Sequence, residues 1–190
     1  MTFEAYSLLL RLHNSPGLYI HDYWWKAWGM ENWAPNYASL LPSSRKIIDF
    51  RINNKRDLAG NVARDLSDFQ LSLLMAYPVI EKVLISMGIL NMRCPDYLFS
   101  RNYRQSLLSY FSVHELEYLM ALWHGGSEVP VLPEDKLMTE ALMLSCNTLS
   151  ASFPQDPVWF LIKFKMPAFE LRSLGEVFDI ALFHRIRKFL

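Results

Sequence analysis

Along most of the chain, apolar residues return every three or four positions, which is the period of an α-helix buried on one face. The first such run, Phe3 to His13, predicts a short amphipathic helix closed by Asn14, Ser15 and Pro16. Ser15 then stands where an N-cap would, with Pro16 at the first helical position. Residues 29–44 hold three turn signals and predict irregular chain, after which Ser44 is placed to cap a helix through Phe50 and Ile52. Apolar density falls across 56–65, a loop or linker signature. Beyond it, Asp68 to Ala76 and Val79 to Met92 predict two helical runs, with Pro78 kinking one or starting the other.

The later helix starts carry more explicit signals. Ser112 followed by Glu115 predicts a capping box, and Gly125-Gly126 a stop. A further run opens at Pro133, with Leu137, Ala141, Leu144 and Thr148 in register. Ser173 and Glu176 suggest a second capping box, followed by an apolar stripe from Leu174 to Phe189. One segment breaks the pattern. Val158 to Met166 alternates apolar residues with Lys163 and Lys165 between two prolines, and predicts a strand. The expected fold is therefore mainly α: one compact helical domain over residues 1–190, of about seven or eight helices and a short strand-like segment at 158–166, with a candidate loop or subdomain break at 56–66.

Composition narrows the function classes. Apolar residues make up 52% and aromatics 14% of 190 residues, enough to build a core without disulfides or metals. Nineteen basic residues balance nineteen acidic ones, a poor match to nucleic acid, whose binding rests on neutralising phosphates. The two cysteines, Cys94 and Cys146, do not form a disulfide framework, and a reducing cytosol is the default. The N-terminal run carries Glu4 and breaks at Arg11, unlike a secretion signal. The best candidate for a membrane span, Phe69 to Ile80, is too short and is interrupted by Gln70 and Pro78, so no span is expected.

Catalytic signals are sparse. The seven glycines are scattered, so no phosphate cradle is formed. The five histidines lack metal-ligand spacing to one another or to cysteine. An enzyme would have to centre on His21, Asp22 or Cys94, none of which sits in an activating pattern. No cofactor and no catalysis are expected. What stands out is aromatic: Tyr19, Tyr23, Trp24, Trp25, Trp28, Trp33 and Tyr37 crowd into nineteen residues. On a helix Trp24 and Trp28 share a face while Trp25 points about 100° away. One core contact cannot cover all three, so at least one of Trp24, Trp25, Trp28 and Trp33 is expected to anchor a partner. At the other end, His184, Arg185, Arg187 and Lys188 supply more positive charge than a helix dipole uses. Arg185, Arg187 and Lys188 are the candidates for meeting an acidic partner.

Taken in order, SPGLYIH (15–21), the central apolar block 68–90, RNYRQSLLSYFSVHELEYLMALWHG (101–125) and VWFLIKFKMP (158–167), closed by a basic helical end, resemble the SctK family. These are the K-type adaptors of the sorting platform in bacterial type III secretion injectisomes. The resemblance implies a cytoplasmic protein at the inner face of the bacterial inner membrane, with no catalytic residues and no cofactor. It would link the cytoplasmic domain of the inner-membrane ring protein to the Q-type pod subunit, and through it the L-type stator and N-type ATPase. The alternative is a secretion chaperone or regulatory protein binding one soluble client. Such chaperones are usually strongly acidic dimers, whereas this chain is neutral.

Overall fold

A computed structural model describes residues 2–56, 65–168 and 177–190. Among the described residues there are eleven α-helices, four short 3-10 turns and no strand. The helices are α1 (Thr2–Asn14), α2 (Asp22–Ala27), α3 (Pro42–Lys55), α4 (Asp68–Ala76), α5 (Ile80–Asn91) and α6 (Asp96–Phe99), then α7 (Arg101–Leu107), α8 (Val113–Ala121), α9 (Leu137–Ser152), α10 (Pro157–Ile162) and α11 (Ile180–Phe189). The mainly helical expectation holds, with more and shorter helices than the periodicity suggests.

The contacts group the chain into two compact units: Met1–Met75 with Gln155–Phe169, and Ala76–Pro154 with Glu170–Leu190. The break expected at 56–66 falls mostly on residues outside the described ones.

In the first unit, α1 packs on α10, and α3 on the 3-10 turn Pro16–Leu18. Trp25, Met30, Tyr37, Ile48 and Ile52 form a buried cluster. The segment expected as a strand is instead α10 followed by a 3-10 turn, Lys163–Lys165. Its cause lies just upstream. The Asp156 carboxylate accepts from the N–H groups of Val158 and Trp159 (2.9 and 2.8 Å), and Pro157 occupies the first helical position. An N-cap with proline behind it is a strong helix start. The α3 helix also begins earlier than Ser44, at Pro42. A capping box missed in the sequence opens α4: Gln70 N–H donates to Ser67 Oγ, and Ser67 N–H donates to Gln70 Oε1.

In the second unit, α5 lies buried against α9, and α11 covers α5 and α8. A Cβ on Gly88 would run into the backbone carbonyl of Ala141, so the two helix backbones meet where only glycine fits. The capping box of α8 forms as expected. Glu115 N–H donates to Ser112 Oγ (3.3 Å), and Ser112 N–H to a Glu115 carboxylate oxygen (2.6 Å). The start proposed at Ser173 and Glu176 lies outside the described residues. Residues 177–179 are not helical, and α11 starts at Ile180, capped by Asp179 accepting from Leu182 N–H (2.8 Å).

Pro78 neither breaks nor ends the apolar run. A single 3-10 turn, Tyr77–Val79, absorbs it, so Asp68–Asn91 is one helical stretch of 24 residues. By length and composition that stretch could cross a membrane, which corrects the shorter candidate read from sequence. Its most apolar part is 72% buried within the fold, as in the core helix of a globular protein.

Candidate interaction surface

The tryptophan-rich segment is built by α2. His21 caps the helix, its Nδ1 accepting from Tyr23 N–H (3.0 Å), so this imidazole is occupied in a structural role. The six-residue helix then turns its aromatic residues in two directions. Trp24 and Trp28 stack obliquely (ring centroids 5.4 Å apart) and both rest on Phe164, at 4.8 and 5.7 Å. Trp24 Nε1–H donates to the Met166 carbonyl (2.8 Å), fixing the indole. Both rings are half-buried. Trp25 faces the other way, 3% exposed, with its ring 5.6 Å from that of Tyr37.

Tyr37 leads to the polar centre of this unit. Its hydroxyl donates to Asp49 Oδ1 (2.6 Å), which also accepts the Gly17 N–H (3.2 Å). Burial raises the Asp49 carboxyl above its ordinary value. The Tyr37 hydroxyl, the Gly17 N–H and the nearby Arg45 pull it back only in part. Burial, with the hydrogen bond and charge of Asp49 behind it, raises the Tyr37 hydroxyl as well. The pair is a buried brace for α3, because Asp49 stands on that helix.

Trp33, ahead of the 3-10 turn Ala34–Ser39, is 44% exposed. Of the four expected anchors, then, Trp25 lies in the core, Trp24 and Trp28 are half-covered by Phe164, and Trp33 stands most open. The structure gathers Trp24, Trp25 and Trp28 around one short helix.

The C-terminal candidates lie on α11. Leu182, Phe183 and Ile186 are buried, and Phe189 stacks on Tyr118 with centroids 3.9 Å apart. Arg185 and Lys188 are exposed. Arg187 is half-buried, and its Nε is enclosed without a hydrogen-bond partner among the described residues.

Of the remaining chemical candidates, Asp22 is exposed at the start of α2 and the cysteines are enclosed. Cys94 and Cys146 are 1% and 0% exposed, and burial raises the Cys146 thiol far above its ordinary value, leaving it protonated. Beside Cys94 a cavity of about 600 Å³ opens among Arg93, Tyr97, Glu128, Glu140, Met143 and Asn147. Arg93 takes a left-handed backbone there (φ 52°), and Gly126 approaches its carbonyl too closely for any Cβ.

One feature escaped the sequence reading: α3 exposes a second apolar stripe. Ile48 and Ile52 are buried, while Ile47 and Phe50 on the other side are 61% and 66% exposed. The adjacent pair Ile47-Ile48, which no single helix face can bury, was the available signal.

No curated protein and no solved structure matches the chain. A family described as type III secretion system subunit matches residues 7–168, well over half of the sequence. The match runs from within α1 past α10 and includes the tryptophan-bearing α2, the Asp49 brace and the buried α5–α9 pair; on that extent, the chain belongs to the family of type III secretion system subunits.

Proposed function

We propose that this subunit is a non-catalytic adaptor of the sorting platform, corresponding to the K-type component. It links the cytoplasmic domain of the inner-membrane ring protein to the Q-type pod subunit, and holds the L-type stator and N-type ATPase only through that subunit. The observation that carries the reading is the extent of the family match. Residues 7–168 contain all four segments whose order resembles the K-type adaptors: 15–21, 68–90, 101–125 and 158–167. Open aromatic and apolar side chains, among them Trp33 and Phe50, fit a protein that works by contact.

The test is co-purification. The full chain, mixed with the pod subunit and the ring protein's cytoplasmic domain from the same secretion system, is expected to hold both in one complex. Binding a single secreted client, with neither platform subunit retained, would sink the adaptor reading in favour of a chaperone. Within that assay Trp33→Ala is expected to leave the melting temperature unchanged and weaken one of the two contacts by about 2 kcal/mol. Trp25→Ala should instead cost about 3–5 kcal/mol of stability. A Trp33→Ala protein that binds both partners as tightly as wild type removes Trp33 from the interface.

A further inference from the structure

We propose that the outward face of α3 docks an acidic amphipathic segment of a partner protein, with Phe50 and Ile47 as its anchors. This inference rests on the adaptor reading and names the chemistry of one of its contacts.

The face follows from helical geometry. Ile47 and Phe50 are three residues apart and lie on one side, each more than 60% exposed. Exposed single apolar residues are ordinary, but an adjoining isoleucine and phenylalanine on one turn form a patch. Around them stand Lys46, Arg51 and Lys55, all exposed. The helix has one acidic residue, Asp49, and it is buried and bonded to Tyr37 and Gly17. In a chain of zero net charge, the open side of α3 therefore presents cations around an apolar centre, with no acid of its own helix to neutralise them. Charge complementarity asks for Asp and Glu flanking one or two apolar side chains.

The same helix is held rigid from behind. Beside the Asp49 brace, Asn53 Nδ2–H donates to the His13 carbonyl (3.0 Å) and Arg56 Nη1–H to the Leu12 carbonyl (3.3 Å). Anchors on an element already fixed by the fold lose little freedom on binding. The patch has the layout of a protein interface, an apolar centre within a charged rim. A membrane-lying helix needs a long apolar face, and the apolar residues Ile48 and Ile52 that could extend this one point into the core.

The test uses the full chain, with the pod subunit and the ring protein's cytoplasmic domain as separate probes. Phe50→Ala is expected to weaken one of them about 30-fold, with Ile47→Lys as a second probe of the same spot. The triple change Lys46→Glu, Arg51→Glu, Lys55→Glu should weaken the same contact at least about tenfold and flatten its dependence on salt. All variants should melt as wild type does, since each changed side chain is exposed. Wild-type affinity in every variant overturns the docking face and leaves the adaptor reading standing. An effect of the apolar changes without one of charge reversal overturns the acidic partner. Wild type that binds neither probe overturns the adaptor reading and this face with it. Binding to phosphatidylglycerol vesicles that the changes abolish, with both protein contacts intact, overturns the proposal in favour of a lipid surface.

Discussion

Two carboxylates, one buried and one half-buried beside a lysine, respond to folding in opposite directions. Burial raises Asp49, and its hydroxyl, amide and guanidinium neighbours do not cancel that effect. Burial acts on Glu115 too, but the Ser112 N–H and the Lys82 ammonium at 3.0 Å outweigh it and hold this carboxyl below its ordinary value. The linkage signs follow. The contribution of Asp49 is fully present below its ordinary value of 3.8 and is lost as pH rises through its higher folded value. That of Glu115 is present above its ordinary 4.5 and is lost as pH falls through its lower folded value. Urea denaturation between about pH 3 and pH 7 should therefore separate two isosteric changes. Asp49→Asn should gain on wild type as pH rises, and Glu115→Gln should fall behind it, by about 1–2 kcal/mol at neutral pH. Parallel pH curves for the two variants would contradict this account. Asp49 carries no local signal, because its partners Tyr37 and Gly17 are 12 and 32 residues away. Glu115 was legible because its cap partner is three residues away. The tryptophans divide similarly. Spacing puts Trp24 and Trp28 together, but their cover, Phe164 and the Met166 carbonyl, comes from about 140 residues further along.

At the scale of elements, local signals won where period-counting failed. VWFLIKFKM alternates well enough to suggest a strand, yet nine residues between prolines cannot separate a period of two from a short helix running into a 3-10 turn. The deciding residue was Asp156, outside the counted window. Its carboxylate receives two helix N–H groups and also the Gln70 side chain (2.8 Å), joining the starts of α10 and α4. Asp156→Ala should therefore cost about 1–2 kcal/mol, more than a solvent-facing cap, as read by denaturant midpoint. Pro78 taught the converse, since one 3-10 turn carries the helix past it. Gly88 bears on the α5–α9 pair more sharply. On an isolated helix Gly→Ala would stabilise by about 1 kcal/mol. Here the new Cβ meets the Ala141 carbonyl, so Gly88→Ala should destabilise by about 1–3 kcal/mol as the helices are forced apart. A rise in melting temperature for this variant would mean that the two backbones are not in contact at that point. Nothing in the sequence distinguishes Gly88 from a glycine tolerated in a helix, because its constraint is a backbone 53 positions away.

At the scale of the whole molecule, the secretion-subunit match ends at residue 168, so α11 stands beyond it while still burying Leu182, Phe183 and Ile186 in the second unit. The basic residues of this helix therefore carry two roles that the sequence merged. Arg187 is half-buried with an enclosed Nε, and glutamate in its place would set an unpaired carboxylate where a guanidinium now lies. Its replacement reports on stability before it reports on binding. Arg185 and Lys188 are exposed and reach outward, although the Arg185 carbonyl is fixed by the Tyr118 hydroxyl (3.2 Å). Only these two can be reversed without disturbing the packed side. Under the adaptor reading, Arg185→Glu with Lys188→Glu is expected to keep helicity and melting temperature near wild type. It should weaken one platform contact by several-fold at low ionic strength, with the difference closing as salt is raised. Contacts near the rim of an interface are worth roughly 1 kcal/mol or less when exposed, so the salt dependence is the decisive readout. Affinity for both subunits that ignores the double change and added salt alike would reduce these cations to complements of the helix dipole, for which a single charge in the last turn suffices.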